Sequence, residues 1–216
     1  RLTLQEPVPE PVKRRDEVRS ARLQYRQDSY TTDPKFKDNA RELADVQASI
    51  DAVKDNKDLT ITGIYVTGYA SPEGTVAYNL KLSERRAKTF TDYVKKQNTG
   101  IPASLWHVDW KGEDWEGLRE EVQKHPRLLK IDEVLAIIDG CDGDRDACEE
   151  QLKALVPPQI YERLLNEMYG PLRRNEYRIE YNVRNFNLEE ARQLLRKGPK
   201  LLSLNEMYQV AGSYGK

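Results

Sequence analysis

The 216-residue chain has only two histidines and two cysteines, and no apolar run approaches the length of a membrane span. His107 lies in an alternating stretch and His125 ends a helical one, with no Ser/His or Cys/His spacing, no metal-ligand cluster and no glycine-rich phosphate loop. These absences speak against an enzyme, a cofactor or a metal centre of the kinds that need such residues. A net charge of -1 removes the basic excess expected of a nucleic-acid partner or of a protein drawn to an anionic membrane. No signal peptide is present, and the chain opens on Arg1 without a methionine, which reads as a fragment of a mature or larger protein.

What is there fits one globular domain with appendages: 38% hydrophobic and 33% charged residues on a chain long enough to bury a core. Its centre is the stretch Thr62 to Val94. From Leu59 to Ala70 both alternations carry apolar residues (Ile61, Ile64, Tyr65, Val66), the pattern of a strand with neighbours on both sides. Ser71-Pro72-Glu73-Gly74 stops that strand, and Thr75 is placed to cap the helix that follows. On this helix Asn79, Leu82, Ser83, Arg86, Ala87, Phe90, Tyr93 and Val94 share one face. Arg86 therefore stands inside an apolar stripe, where a guanidinium needs an anionic partner. That partner is an internal Asp or Glu, or a ligand; spacing alone favours the internal pair.

Before this centre, Pro7, Pro9 and Pro11 make residues 1–17 read as an extended linker from a preceding domain. A first strand is expected from Arg19 through Leu23 and Tyr25, and a helix on Phe36, Ala40, Leu43, Val46 and Ile50. After it, Ser104 to Trp110 alternates as a third strand, Gly112 to Lys124 starts and carries a helix, and helical patterns fill about 132–171. Tyr177, Ile179, Tyr181 and Val183 mark the last strand. The fold class this gives is α+β: a two-layer sandwich with a four-stranded mixed sheet, helices on one face, and a helical insertion before the last strand. The domain proper is 18–186. Residues 187–216 read as the start of a truncated, repeat-like helical region, with Ser203 and Glu206 offering a capping box.

Several other constellations have two readings. Cys141 and Cys148 would form a local disulfide in an exported protein and remain thiols in the cytosol. The aspartates from Asp142 to Asp146 alternate like a calcium loop, but Ala147 takes the sixth position and Lys153 the twelfth, where glycine and glutamate belong. Glu113 and Asp114 suit helix capping better than acid–base chemistry. Trp106, Trp110 and Trp115 are read as core before a glycan platform.

The run Gly68-Tyr69 through Gly74, then Ala77-Tyr78-Asn79, then Leu82-Ser83-Glu84-Arg85-Arg86-Ala87 and Gly100-Ile101-Pro102-Ala103, resembles the OmpA-like C-terminal domain, a peptidoglycan-associated module of bacterial envelopes. The likeness is dense from about Leu59 to Trp110, and Arg174 to Val183 is similar to the closing strand of that family. The GYASPEG form is similar to a variant found in larger Bacteroidetes envelope proteins. The resemblance implies a non-catalytic module, exported to the periplasm or outer membrane of a Gram-negative bacterium, that needs no cofactor. Its partners would be the peptidoglycan stem peptide, and envelope proteins met through the helical insertion and C-terminal helices. In that family an Asp at the strand end and an Arg in the helix hold the ammonium and carboxylate of diaminopimelate. Aligned without gaps, the Arg is Arg86, but the Asp position is Ser71, which brings no charge. The candidate ligand-binding set is Arg86, Ser71, Asn79, Gly68, Tyr69 and Glu73, with Glu73 the carboxylate nearest the missing one. The alternative function is a structural or protein-interaction domain that has lost stem binding through Ser71.

Overall fold

A computed structural model describes residues 5–26 and 29–214. Residues 1–4 and 215–216, the outer ends of the expected linker and of the repeat-like region, lie outside the described residues. The elements in order are β1 (Lys13–Ala21), α1 (Asn39–Lys54), β2 (Leu59–Ala70), α2 (Val76–Gln97), β3 (Trp106–Glu113), α3 (Trp115–Gln123), α4 (Ile131–Asp139), α5 (Arg145–Lys153), α6 (Gln159–Arg163), β4 (Arg174–Val183), α7 (Leu188–Lys197) and α8 (Leu204–Ser213). The fold is α+β, with a four-stranded mixed sheet in the order β1-β4-β2-β3, in which β2 and β3 run parallel. β2 has a strand on each side, as its two apolar alternations require.

The chain divides into two compact units. The larger comprises residues 18–48 and 64–178. Within it, Ile64, Val66, Gly68 and Ala70 of β2 are buried, whereas Tyr65, Thr67 and Tyr69 on the other alternation are half-buried. The first set faces α2, whose Asn79, Ser83, Ala87, Phe90, Thr91 and Val94 are buried. Strand and helix meet closely at Gly68: a Cβ there would lie 2.5 Å from the Ser83 carbonyl oxygen and 2.9 Å from the Ala87 Cβ. Thr75 caps α2 by accepting from the Tyr78 N–H at 3.2 Å.

The helices expected in the insertion build a second core. Trp115, Leu118 and Val122 of α3 pack with Val134, Ile138, Leu152, Ile160, Leu164, Met168 and Tyr169. Trp115 is thus core, as read; Trp106 and Trp110 are half-buried and stand apart from this cluster. The Cys141 and Cys148 sulfurs are joined in a disulfide, with Cα atoms 6.0 Å apart. Two of the three aspartates between them hold helix starts: Asp144 accepts from the Ala147 N–H in the first turn of α5 at 3.0 Å, and Asp146 from the Val76 N–H that opens α2 at 2.9 Å. Among the described residues no group of His, Cys, Asp or Glu is arranged to hold a metal, and no helix is long and apolar enough to cross a membrane.

The smaller unit comprises residues 1–17, 49–63 and 179–216. β1 begins at Lys13, inside the stretch read as linker, for a reason the local sequence hides. The Lys13 ammonium is buried, donates to both Glu206 carboxylate oxygens at 3.1 Å, and lies 4.1 Å from the centre of the Phe186 ring. Glu206 also closes the expected capping box with Ser203 and accepts from the Phe186 N–H at 2.9 Å. The C-terminal helices are thus tied into this unit, with Ala191, Leu202 and Val210 buried.

Candidate basic notch

The expected first strand stops short of Leu23 and Tyr25 because Asn39 intercepts the backbone. The Gln24 N–H donates to Asn39 Oδ1 at 2.7 Å and the Gln24 carbonyl accepts from Asn39 Nδ2 at 2.8 Å, in place of ladder bonds. Tyr25, freed from the sheet, reaches Arg86: the guanidinium carbon lies 4.4 Å from the ring centre. The two residues line a notch of about 550 Å³ together with Arg22, Arg26, Lys37 and Arg173. Lys37 holds a left-handed backbone (φ 47°), a conformation that a non-glycine residue adopts at some cost.

The internal ion pair expected for Arg86 is absent: no carboxylate pairs with it among the described residues, and its buried Nε has no hydrogen-bond partner. The spacing that suggested a pair put Arg86 on the buried stripe, but its guanidinium lies over the Tyr25 ring and feels the charge of another arginine. Burial, and then the neighbouring Arg173 charge, pull the Arg86 pKa below the usual guanidinium value. Burial likewise raises the pKa of Tyr25, against the opposing pull of the Arg86 charge.

The remaining candidates are scattered by the fold. Ser71 is buried and accepts from Arg173 Nε at 3.1 Å, while Glu73 pairs with an Arg173 Nη at 2.6 Å. Arg173 thus joins Ser71 and Glu73 to the notch that Arg86 lines. Asn79 braces the turn, donating from Nδ2 to the Glu73 carbonyl at 2.9 Å and to Glu113 at 2.8 Å. Gly68 is a packing residue beneath α2, and Tyr69, on the opposite alternation, stacks with Arg174 at 4.3 Å. Neither lines the notch. Asp114 caps α3, accepting from the Gly117 N–H at 2.9 Å, and pairs with Arg174 at 2.7 Å. Glu113 is instead buried, accepting from Asn79 and from Trp115 Nε1 at 2.8 Å.

Arg173 and Arg22 escaped the sequence reading. Arg173 stands at the seam between the insertion and the last strand, 102 residues from Ser71, and nothing local marks it. The only signal was the doublet Arg173-Arg174 directly before an alternating strand.

A strand, a tight turn and a basic helix thus stand together on an open α+β sheet. Residues 25–123 match the model of the OmpA family. Outer membrane protein 41 of Porphyromonas gingivalis (strain ATCC BAA-308 / W83) is 52% identical over 50 residues, 23% of this chain and 12% of that protein. Outer membrane protein 40 of the same strain is 48% identical over 50 residues, 23% of this chain and 13% of that protein. The match therefore spans about an eighth of either relative. Among solved structures, the OmpA-like domain of FopA1 from Francisella tularensis subsp. tularensis SCHU S4 aligns over 81% of this chain and 79% of its own, at 17% identity and a TM-score of 0.40.

Proposed function

We propose that the chain is a non-catalytic module of a bacterial cell envelope, in the periplasm or associated with the outer membrane, that docks on peptidoglycan through the carboxylate of a stem-peptide head group. The observation that carries this reading is Arg86: a half-buried guanidinium in an open notch, with no carboxylate partner among the described residues. Such a group gains most from a planar, bidentate carboxylate, whose charge offsets the desolvation it already bears. The OmpA-family match and the outer-membrane names of the relatives support the setting.

The test is titration calorimetry of the chain against a diaminopimelate-containing muropeptide, with Arg86→Ala in parallel. Saturable heat from the wild type that vanishes in Arg86→Ala supports docking. Equal binding by the two proteins places the ligand elsewhere. No heat from the wild type at millimolar ligand favours the second reading, a scaffold that docks envelope proteins through the helical insertion and the C-terminal helices. The neutral Ser71, engaged by Arg173, is the observation on that side.

A further inference from the structure

If Arg86 takes a ligand carboxylate, the rest of the notch decides what else the ligand carries. Arg22, Arg26, Lys37 and Arg173 line the same space, and among the described residues no aspartate or glutamate does. Arg26 has a partner at its edge, Asp33 at 3.4 Å, and stacks on Phe36. Among the described residues, the Arg22 and Lys37 side chains have no carboxylate partner. Arg173 spends Nε on Ser71 and one Nη on Glu73, and among the described residues its other Nη has no hydrogen-bond partner.

This arrangement is unfavourable to an ammonium. Ser71, the neutral residue at the strand end, already accepts from a guanidinium, so an amine brought to it would sit beside a positive charge. Glu73 is ion-paired with that same guanidinium, and its side chain is 55% exposed.

We infer that the notch reads only the anionic part of its ligand: a peptide head group with two carboxylates, one on Arg86 and one on the free edge of Arg173, whose amine goes unrecognised. The inference rests on carboxylate docking at Arg86. It makes the ligand class an acidic peptide terminus, with amine-blocked forms accepted as well as free ones, and it gives Arg22 and Lys37 the role of drawing that charge in.

Calorimetry with the stem tripeptide L-Ala-D-Glu-diaminopimelate in three forms tests it: free, with the side-chain amine acetylated, and with the diaminopimelate carboxylates amidated. Acetylation is expected to change Kd by less than about threefold, and amidation to weaken it by about tenfold or more, the equivalent of one lost charge-assisted pair. Glu73→Gln, which frees the second Nη of Arg173, is expected to tighten binding of the acetylated peptide, and Ser71→Asp, which neutralises Arg173, to weaken it. Thermal melts confirm that both variants fold. Loss of binding on acetylation, matched by loss in Glu73→Gln, overturns the inference and makes Glu73 the amine's partner. Free peptide binding that fails in Arg86→Ala but depends on the amine leaves docking standing and sinks this inference alone; no heat from any form sinks both.

Discussion

Arg173 donates to Ser71 Oγ at 3.1 Å, so the neutral residue that follows β2 is held by a cation 102 residues along the chain. Removing the hydroxyl leaves the guanidinium its Glu73 pair and access to water, since the Arg173 side chain is 36% exposed. Ser71→Ala is expected to destabilise the fold by about 1.5 kcal/mol, the low end for a bond to a charged group, as a urea midpoint shift would show.

Gly68 sets the spacing between β2 and α2. Because the nearest atom to an added Cβ is a backbone oxygen, which cannot swing aside, Gly68→Ala is expected to cost about 2–3 kcal/mol, near the upper range for overpacking. It is also expected to reduce peptide binding by displacing the helix that carries Arg86. A variant with unchanged stability would show that the helix can shift freely.

Acidification bears on two buried carboxylates in the larger unit. Glu149 accepts from the hydroxyls of Tyr161 and Tyr169, and Glu113 from Asn79 and Trp115; burial raises both pKa values above the ordinary carboxylate value. A raised folded-state pKa contributes stability that is full below the unfolded value and is lost as pH rises through the folded one. The double variant Glu113→Gln/Glu149→Gln is therefore expected to lose the part of the pH dependence that favours mild acid. Melting temperatures of the two proteins, measured from pH 7 down to about the unfolded Glu value near 4.3, give the comparison. The wild type should gain relative to the variant on acidification; parallel curves would mean these groups titrate normally.

The Lys13–Glu206 pair predicts an asymmetry between its two halves. Glu206→Gln leaves a buried ammonium with the Leu201 carbonyl and the Phe186 ring, and is expected to cost about 3–5 kcal/mol. Lys13→Met leaves Glu206 accepting from the Phe186 and Ser203 N–H groups, both at 2.9 Å, and is expected to cost less. Equal losses in denaturant melts would contradict the view that backbone donors, besides the lysine, hold the carboxylate. Those donors and Lys13 keep the Glu206 pKa low despite the opposing effect of burial, so its contribution is present above the unfolded value and is lost as pH falls through the folded one.

Much of the architecture follows from the sequence by itself, because it depends on periodicities and local chemistry. Doubly apolar β2, the Thr75 cap, the stripe on α2, the alternation of β4 and the Ser203–Glu206 box are each decided within a few residues. The density of the motif around Leu82 to Ala87 likewise made the OmpA-like resemblance legible without coordinates. Tertiary structure alone decided the charges. Whether Arg86 had an internal partner turned on which side chains reach it from elsewhere. Asn39 lifting Gln24 off the sheet brought Tyr25 to it, and the end of the insertion brought Arg173 beside it. Lys13 is the same case with the opposite result: its carboxylate lies 193 residues away, where no local pattern can announce it. Hydrogen-bonded periodicity is a short-range property of the chain, whereas the pairing of a buried charge depends on whatever the fold places next to it.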